Sequence, residues 1–158
     1  MKSFRFNLQK VLNYRENVEE ILLAELAAIR AAYDRELGRL SEITAARDMF
    51  HDAMKRELAY GDPEYIRRAY HYLQDLSKQV DAQQITVHRL AIEKEAKTAE
   101  VIKASQDRKI LEKLREYKAA EHKQESLREE QKFLDEVAGN KYMRRRAAKR
   151  SMGWKNES

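Results

Sequence analysis

Residues 64 to 138 of this chain contain neither glycine nor proline. Strand-based and βα folds need a turn about every 8–15 residues, and such a stretch cannot supply one. Across all 158 residues there are four glycines and one proline. Charged residues make up 37% of the chain, well above the usual ~25%. Hydrophobic residues still reach 42%, too many for a disordered polyelectrolyte. Long helices are what remains, and the length suits a single domain.

The one strong breaker is Tyr60-Gly61-Asp62-Pro63-Glu64. Gly61 suits the left-handed position just past a helix, Asp62 can cap the next one, and Pro63 fits its first turn. The spacing therefore predicts a first arm over residues 1–60, a turn at 61–63 and a second arm over 64–138. Gly139-Asn140 reads as the stop, followed by a basic, partly disordered tail over 139–158.

Periodicity agrees with two arms. In the first, Leu8, Val11, Val18, Leu22, Leu26, Ile29, Tyr33, Leu37, Leu40 and Ile43 follow three- and four-residue steps, interrupted by Arg15. Phe50, Met54 and Leu58 continue at steps of four, and the extra four-residue steps read as stutters. In the second arm Ile66, Leu73, Val80, Val87 and Val101 share a seven-residue grid broken by Lys94. Leu76, Leu90, Ala104 and Leu111 sit three places later. A narrow apolar stripe on a charged helix is a coiled-coil seam.

The expected fold is all-α: a long antiparallel two-helix coiled-coil hairpin whose second helix overhangs the first. At about 1.5 Å per residue the arms would measure roughly 80 Å and 110 Å. Pairing outward from residue 62 puts Leu8 near residue 116, leaving 117–138 without a partner in the chain. That overhang carries Tyr117, Leu127, Phe133, Leu134 and Val137, a candidate binding or self-association surface.

Charge is uneven. Residues 141–158 hold seven Lys or Arg and one acid, Glu157, so this tail supplies +6 of the net +5 and the rest of the chain −1. The tail reads as a contact for nucleic acid, for an anionic membrane or for an acidic protein, or only as a complement to a helix dipole. Trp154 beside it weakly favours an interface. No cysteine is present, which removes disulfides, thiolate metal sites and a cysteine nucleophile. No apolar run reaches 18 residues, and the first residues lack the apolar core of a secretory signal, so no membrane insertion is expected.

The chemistry of an enzyme is missing from the pattern. There is no phosphate-binding glycine loop. His51, His71, His88 and His122 are scattered, which argues against a metal site. Glu129-Glu130 and Asp135-Glu136 are neighbours on a helix and point in different directions, as a solvated charged face does. No catalytic, cofactor-binding or metal-binding residue is assigned, and the chain reads as a non-enzyme.

Three stretches, one near the start of the chain and two in the second arm, carry a resemblance. Phe4-Arg5-Phe6-Asn7-Leu8-Gln9-Lys10-Val11-Leu12-Asn13-Tyr14-Arg15 resembles the N-terminal signature of the flagellar FliJ family. Asp107-Arg108-Lys109-Ile110-Leu111-Glu112-Lys113-Leu114 and Arg128-Glu129-Glu130-Gln131-Lys132-Phe133-Leu134-Asp135-Glu136-Val137-Ala138 are similar to its two later motifs. The resemblance implies a coiled-coil component of the flagellar type III export apparatus, similar in fold to the rotor stalk of the rotary ATP synthase. It implies binding at the centre of the hexameric export ATPase, promotion of that enzyme's assembly and activity, and contact with the cytoplasmic part of the membrane export gate and with export chaperones. The expected location is the cytoplasmic side of the cell membrane at the flagellar base, with a chain that is monomeric when free and takes no nucleic acid.

Carried over by position, the ATPase-facing candidates are Phe4, Leu8, Val11, Arg108, Leu111, Leu114, Gln131 and Asp135, with Arg144, Arg145 and Arg146 of the tail. The gate-facing candidates are Leu40, Tyr72, Leu76 and Gln83. Tyr65, Tyr70 and Tyr72 make the turn region rich in aromatics, and Tyr70 or Tyr72 must lie partly off the seam. Two alternatives stand beside this reading: a generic self-associating coiled-coil scaffold, and a nucleic-acid binder that uses the basic tail.

Overall fold

A computed structural model describes residues 3–153. Trp154, Lys155 and Glu157 lie outside the described residues. The chain folds as two long helices, α1 (Gln9–Glu57, 49 residues) and α2 (Pro63–Gly153, 91 residues), in an antiparallel coiled-coil hairpin. It divides into two compact units: Asn13–Arg108, and the residues up to Leu12 together with those from Lys109 on.

Within Asn13–Arg108 the cross-helix contacts fall in reverse order along the two helices. Arg15 meets Asp107, Glu25 meets Lys97, Glu36 meets Gln83 and Phe50 meets Tyr72. The turn places Tyr60 N–H on the Glu57 carbonyl at 3.0 Å. Asp62 then begins α2 as expected, its carbonyl accepting from Ile66 N–H at 3.0 Å with Pro63 at the first helical position. Gly61 does not take the left-handed conformation expected of it; no described glycine does. Its role is close approach. A Cβ there would stand 3.2 Å from the Glu57 carbonyl oxygen and 3.4 Å from Ile66 Cγ1.

The seam differs from the stutter reading. Among the buried and half-buried side chains of α1, Arg15, Glu19, Leu22, Leu26, Ile29, Tyr33, Glu36, Leu40, Ile43, Arg47, Phe50 and Met54 form an unbroken alternation of four- and three-residue steps, flanked by half-buried Val18, Ala32, Thr44, His51 and Ala53. Val18 and Leu37, which suggested stutters, stand one place off Glu19 and Glu36: the heptad runs through these charged neighbours, with Val18 half-buried at its side and Leu37 exposed. On α2 the same alternation runs from Ile66 and Ala69 through Gln83, Lys94 and Lys97 to Arg108.

Those polar seam positions are tolerated because each finds a partner across the hairpin or along the helix. Gln83 Nε2 donates to the Glu36 carbonyl at 3.0 Å and to its carboxylate at 2.6 Å. Lys94 Nζ stands 3.9 Å above the centre of the Tyr33 ring, a cation–π contact. Arg108 pairs with Glu19 and Arg15 with Asp107. Lys97 reaches both Glu25 and Glu100 at 2.9 Å. The apolar core is thin by comparison, with Leu26, Ala69, Leu76, Val80, Val87 and Ala104 buried in this unit.

The helix does not stop at Gly139-Asn140. It continues through the basic residues to Gly153, which corrects both the expected end of the second arm at residue 138 and the expected start of a separate tail. A glycine inside a helix costs about 1 kcal/mol, too little to end one when alanine, arginine, lysine and methionine follow. Nothing crowds Gly139, and its φ stays negative.

The carboxylates of Glu100 and Glu25 hold the Lys97 ammonium above its ordinary 10.5, and Glu57 raises the Tyr65 hydroxyl above 10.0. A group whose pKa rises on folding stabilises the fold fully below its unfolded pKa and loses that contribution as pH climbs through the folded value. We therefore expect urea-unfolding midpoints independent of these two groups from neutrality to about pH 10, then falling above it. In Lys97→Met with Tyr65→Phe the part of the alkaline decline due to these groups should disappear.

Candidate functional site

Two surfaces gather the candidate residues, one in each unit. In the unit that holds the N-terminal residues, the segment before α1 is not helical. It runs from Ser3 to a turn closed by Gln9 N–H on the Phe6 carbonyl at 3.1 Å, after which Leu12 N–H reaches the Leu8 carbonyl at 2.9 Å. The aromatic and apolar residues of this segment lie against α2. The Phe4 ring sits 5.7 Å from His122, tilted at 55°. Phe4, Phe6, Leu8 and Leu114 help to wall an open cavity of about 510 Å³ whose rim carries Lys118, Glu121 and Glu125.

The residue that anchors this end is Leu12, completely buried, while Leu8 and Val11 remain exposed. The family-like motif contained all three. The signal that separates them is the heptad: Leu12 lies seven places before Glu19 and fourteen before Leu26, and Leu8 and Val11 are off that grid. Leu111 is half-buried, and Leu114 is exposed. Sequence reasoning also missed His122 as a structural partner of Phe4.

Because the N-terminal segment reaches His122, the uncovered part of α2 starts later than residue 117. From Leu127 to Gly153 every residue is exposed. Leu127, Phe133, Leu134 and Val137 thus stand on a helix with solvent around them, Phe133 at 65% exposure. Gln131 donates to the Asp135 carboxylate at 2.9 Å along the same face. Arg144, Arg145 and Arg146 follow on consecutive positions and so project in three directions.

The second surface surrounds the turn. Tyr60 is 94% exposed, and Tyr65, Tyr70 and Tyr72 are each about half exposed, so both Tyr70 and Tyr72 do lie off the seam. Tyr72 packs edge-on against Phe50, ring centres 4.8 Å apart. Among the four gate-facing candidates only Tyr72 offers much surface. Leu76 is 7% exposed and belongs to the hairpin core, Leu40 is half-buried in the seam, and Gln83 is held by Glu36. Arg108, one of the ATPase-facing candidates, is likewise engaged by Glu19.

Among the described residues no cluster of three or more His, Cys, Asp or Glu could hold a metal ion, and no helix is long and apolar enough to cross a membrane. The geometry is that of a scaffold for contact. A seam of paired polar and small apolar residues holds the hairpin, and larger apolar side chains are displayed beyond it. The class is therefore an elongated-helix, two-stranded antiparallel coiled coil.

The family model described as "Flagellar FliJ protein" matches residues 4–147, which takes in every motif discussed above and most of the basic stretch. The chain belongs to the flagellar FliJ family and is a component of the flagellar export apparatus, serving flagellar protein export and motility. That family is a non-catalytic part of the apparatus. Comparison with curated proteins and with solved structures gave no match.

Proposed function

We propose that this chain acts as a stalk: its α2 overhang binds the centre of the hexameric export ATPase, promotes that enzyme's assembly and activity, and the hairpin links it to the membrane export gate and to export chaperones. The observation that carries this reading is the row of exposed apolar residues Leu127, Phe133, Leu134 and Val137. They lie on a helix that this chain leaves uncovered from Leu127 on. A stiff helix with apolar side chains on one stretch and six bases on the next suits the axial channel of a ring of subunits. Phe4, Leu8, Val11, Leu111, Leu114, Gln131, Asp135 and Arg144–Arg146 would supply contacts there, and Arg108 would position the helices through Glu19. Tyr72, with Leu40, Leu76 and Gln83 shaping the surface beneath it, would meet the gate. The protein then works at the cytoplasmic face of the membrane at the flagellar base, without chemistry of its own. Contacts that differ from one ATPase subunit to the next could couple nucleotide state to the gate.

The test is the hydrolysis rate of the export ATPase with and without the purified chain. Stimulation is expected. Replacing Leu127, Phe133, Leu134 and Val137 together by alanine should raise the half-saturating concentration at least about tenfold, since each buried side chain of this size contributes roughly 1.5–3 kcal/mol. A chain that binds the ATPase without any stimulation would overturn the reading.

A further inference from the structure

The continuation of α2 to Gly153 places two charge blocks on one helix. Between Leu127 and Ala138 the chain carries Glu129, Glu130, Asp135 and Glu136 against Arg128 and Lys132. Between Gly139 and Gly153 it carries Lys141, Arg144, Arg145, Arg146, Lys149 and Arg150 and no acid. Among the described residues none of these four acids makes an ion pair with any of these bases. A continuous helix cannot fold its own acidic block onto its own basic block. Only another molecule can bring them together.

We propose that the occupant of the exposed α2 overhang is a second copy of this chain, paired antiparallel about a two-fold axis between Val137 and Ala138. Leu127, Glu130, Leu134, Ala138, Lys141, Arg145 and Ala148 follow three- and four-residue steps along the exposed part of α2, a stripe offset from the heptad of the hairpin seam, and reversal about that axis brings complementary positions together. Leu127 meets Ala148, Glu130 meets Arg145, Leu134 meets the aliphatic stem of Lys141, and Val137 meets Ala138. Each contact occurs twice. A parallel pair would instead set Glu130 on Glu130, Lys141 on Lys141 and Arg145 on Arg145. Like charges at the seam exclude that arrangement, and opposite charges select the antiparallel one. The overlap of the exposed stretches, Leu127 to Ala148 or about 22 residues a side, is long enough for a two-stranded coiled coil to hold. This departs from the monomer expected for the free chain. The proposal stands on the charge pattern and not on ATPase binding, although a dimer of this kind would cover the same apolar residues and so hold the stalk in reserve.

Sedimentation of the full-length chain over a range of concentrations should show a monomer–dimer equilibrium. The dimer should weaken at least about tenfold between 0.05 M and 0.5 M salt, as screening shortens the reach of its charges. Glu130→Lys and Arg145→Glu should each sediment as a monomer with unchanged helix content. An equimolar mixture of the two should recover a dimer, because each altered residue then meets an opposite charge. The cysteine-free background allows orientation to be read directly. Under oxidation Leu127→Cys alone should stay uncrosslinked, whereas Leu127→Cys mixed with Ala148→Cys should form a disulfide dimer. A monomer at every concentration, a dimer indifferent to both charge variants, or self-crosslinking of Leu127→Cys would each overturn the proposal. Loss of ATPase stimulation alone would not bear on it.

Discussion

Leu12→Ala is expected to destabilise the protein by about 2–5 kcal/mol, the cost of removing a fully buried leucine and leaving a cavity. Leu8→Ala and Val11→Ala, one turn and one residue away, should each stay within about 0.5 kcal/mol, as surface substitutions do. The contrast rests on burial: Leu12 has no exposed surface, while Leu8 and Val11 keep about two-fifths of theirs. Leu12 is also the point at which the non-helical N-terminal residues enter α1, its own N–H bonded to the Leu8 carbonyl. Its loss should therefore loosen the Phe4–His122 contact as well as the seam. Urea unfolding followed by circular dichroism measures the first effect. Faster amide exchange at Gln9 to Asn13 would show the second. If Val11→Ala proved as costly as Leu12→Ala, the helix would be rotated from the orientation described.

Glu19→Lys should cost about 2–4 kcal/mol, close to the cost of breaking a buried ion pair. Glu19 and Arg108 are the least exposed of the cross-helix pairs, with 14% and 23% of their side chains accessible. A lysine there faces Arg108 at a seam position that water enters poorly, so the repulsion is little screened. Adding Arg108→Glu restores opposite charges, and the double variant should recover more than half of the loss. By comparison, Arg67 and Glu64 are both 69% exposed, and removing that pair should change stability by under about 1 kcal/mol. A double-mutant cycle in urea gives the coupling directly. A cycle showing no coupling between Glu19 and Arg108 would mean that the pair does not set the alignment of the helices.

The hairpin was legible because its causes are local. One Gly-Asp-Pro turn lies between two stretches almost free of breakers, and heptad spacing on α2 needs no tertiary information. The family-like motifs were legible for the same reason, as runs of residues at fixed positions. The course of the α1 seam was harder to read. A pattern of apolar residues points to Val18 and Leu37, whereas half-buried Glu36 takes the seam position beside exposed Leu37 and Glu19 shares the seam with half-buried Val18, and only the residues opposite them on α2 explain why. Gly61 was read as suited to a left-handed position, and its fit is instead steric, a distinction that depends on where the Glu57 carbonyl and Ile66 lie. The gate-facing set was divided in the same way: Tyr72 is displayed, Leu76 is consumed by the core, and Gln83 is tied to Glu36.

Periodicity and the absence of turn residues are properties of the chain itself, and they sufficed for two helices and their antiparallel pairing, while the resemblance of its motifs pointed to the family. Only the tertiary structure decided which charged residues enter the seam, where the uncovered stretch of α2 begins, and that the helix runs on through Gly139 to Gly153. A helix's direction follows from backbone preferences within a few residues. The burial of a given side chain depends on what stands across from it, and that partner can be as distant in sequence as Asp107 is from Arg15.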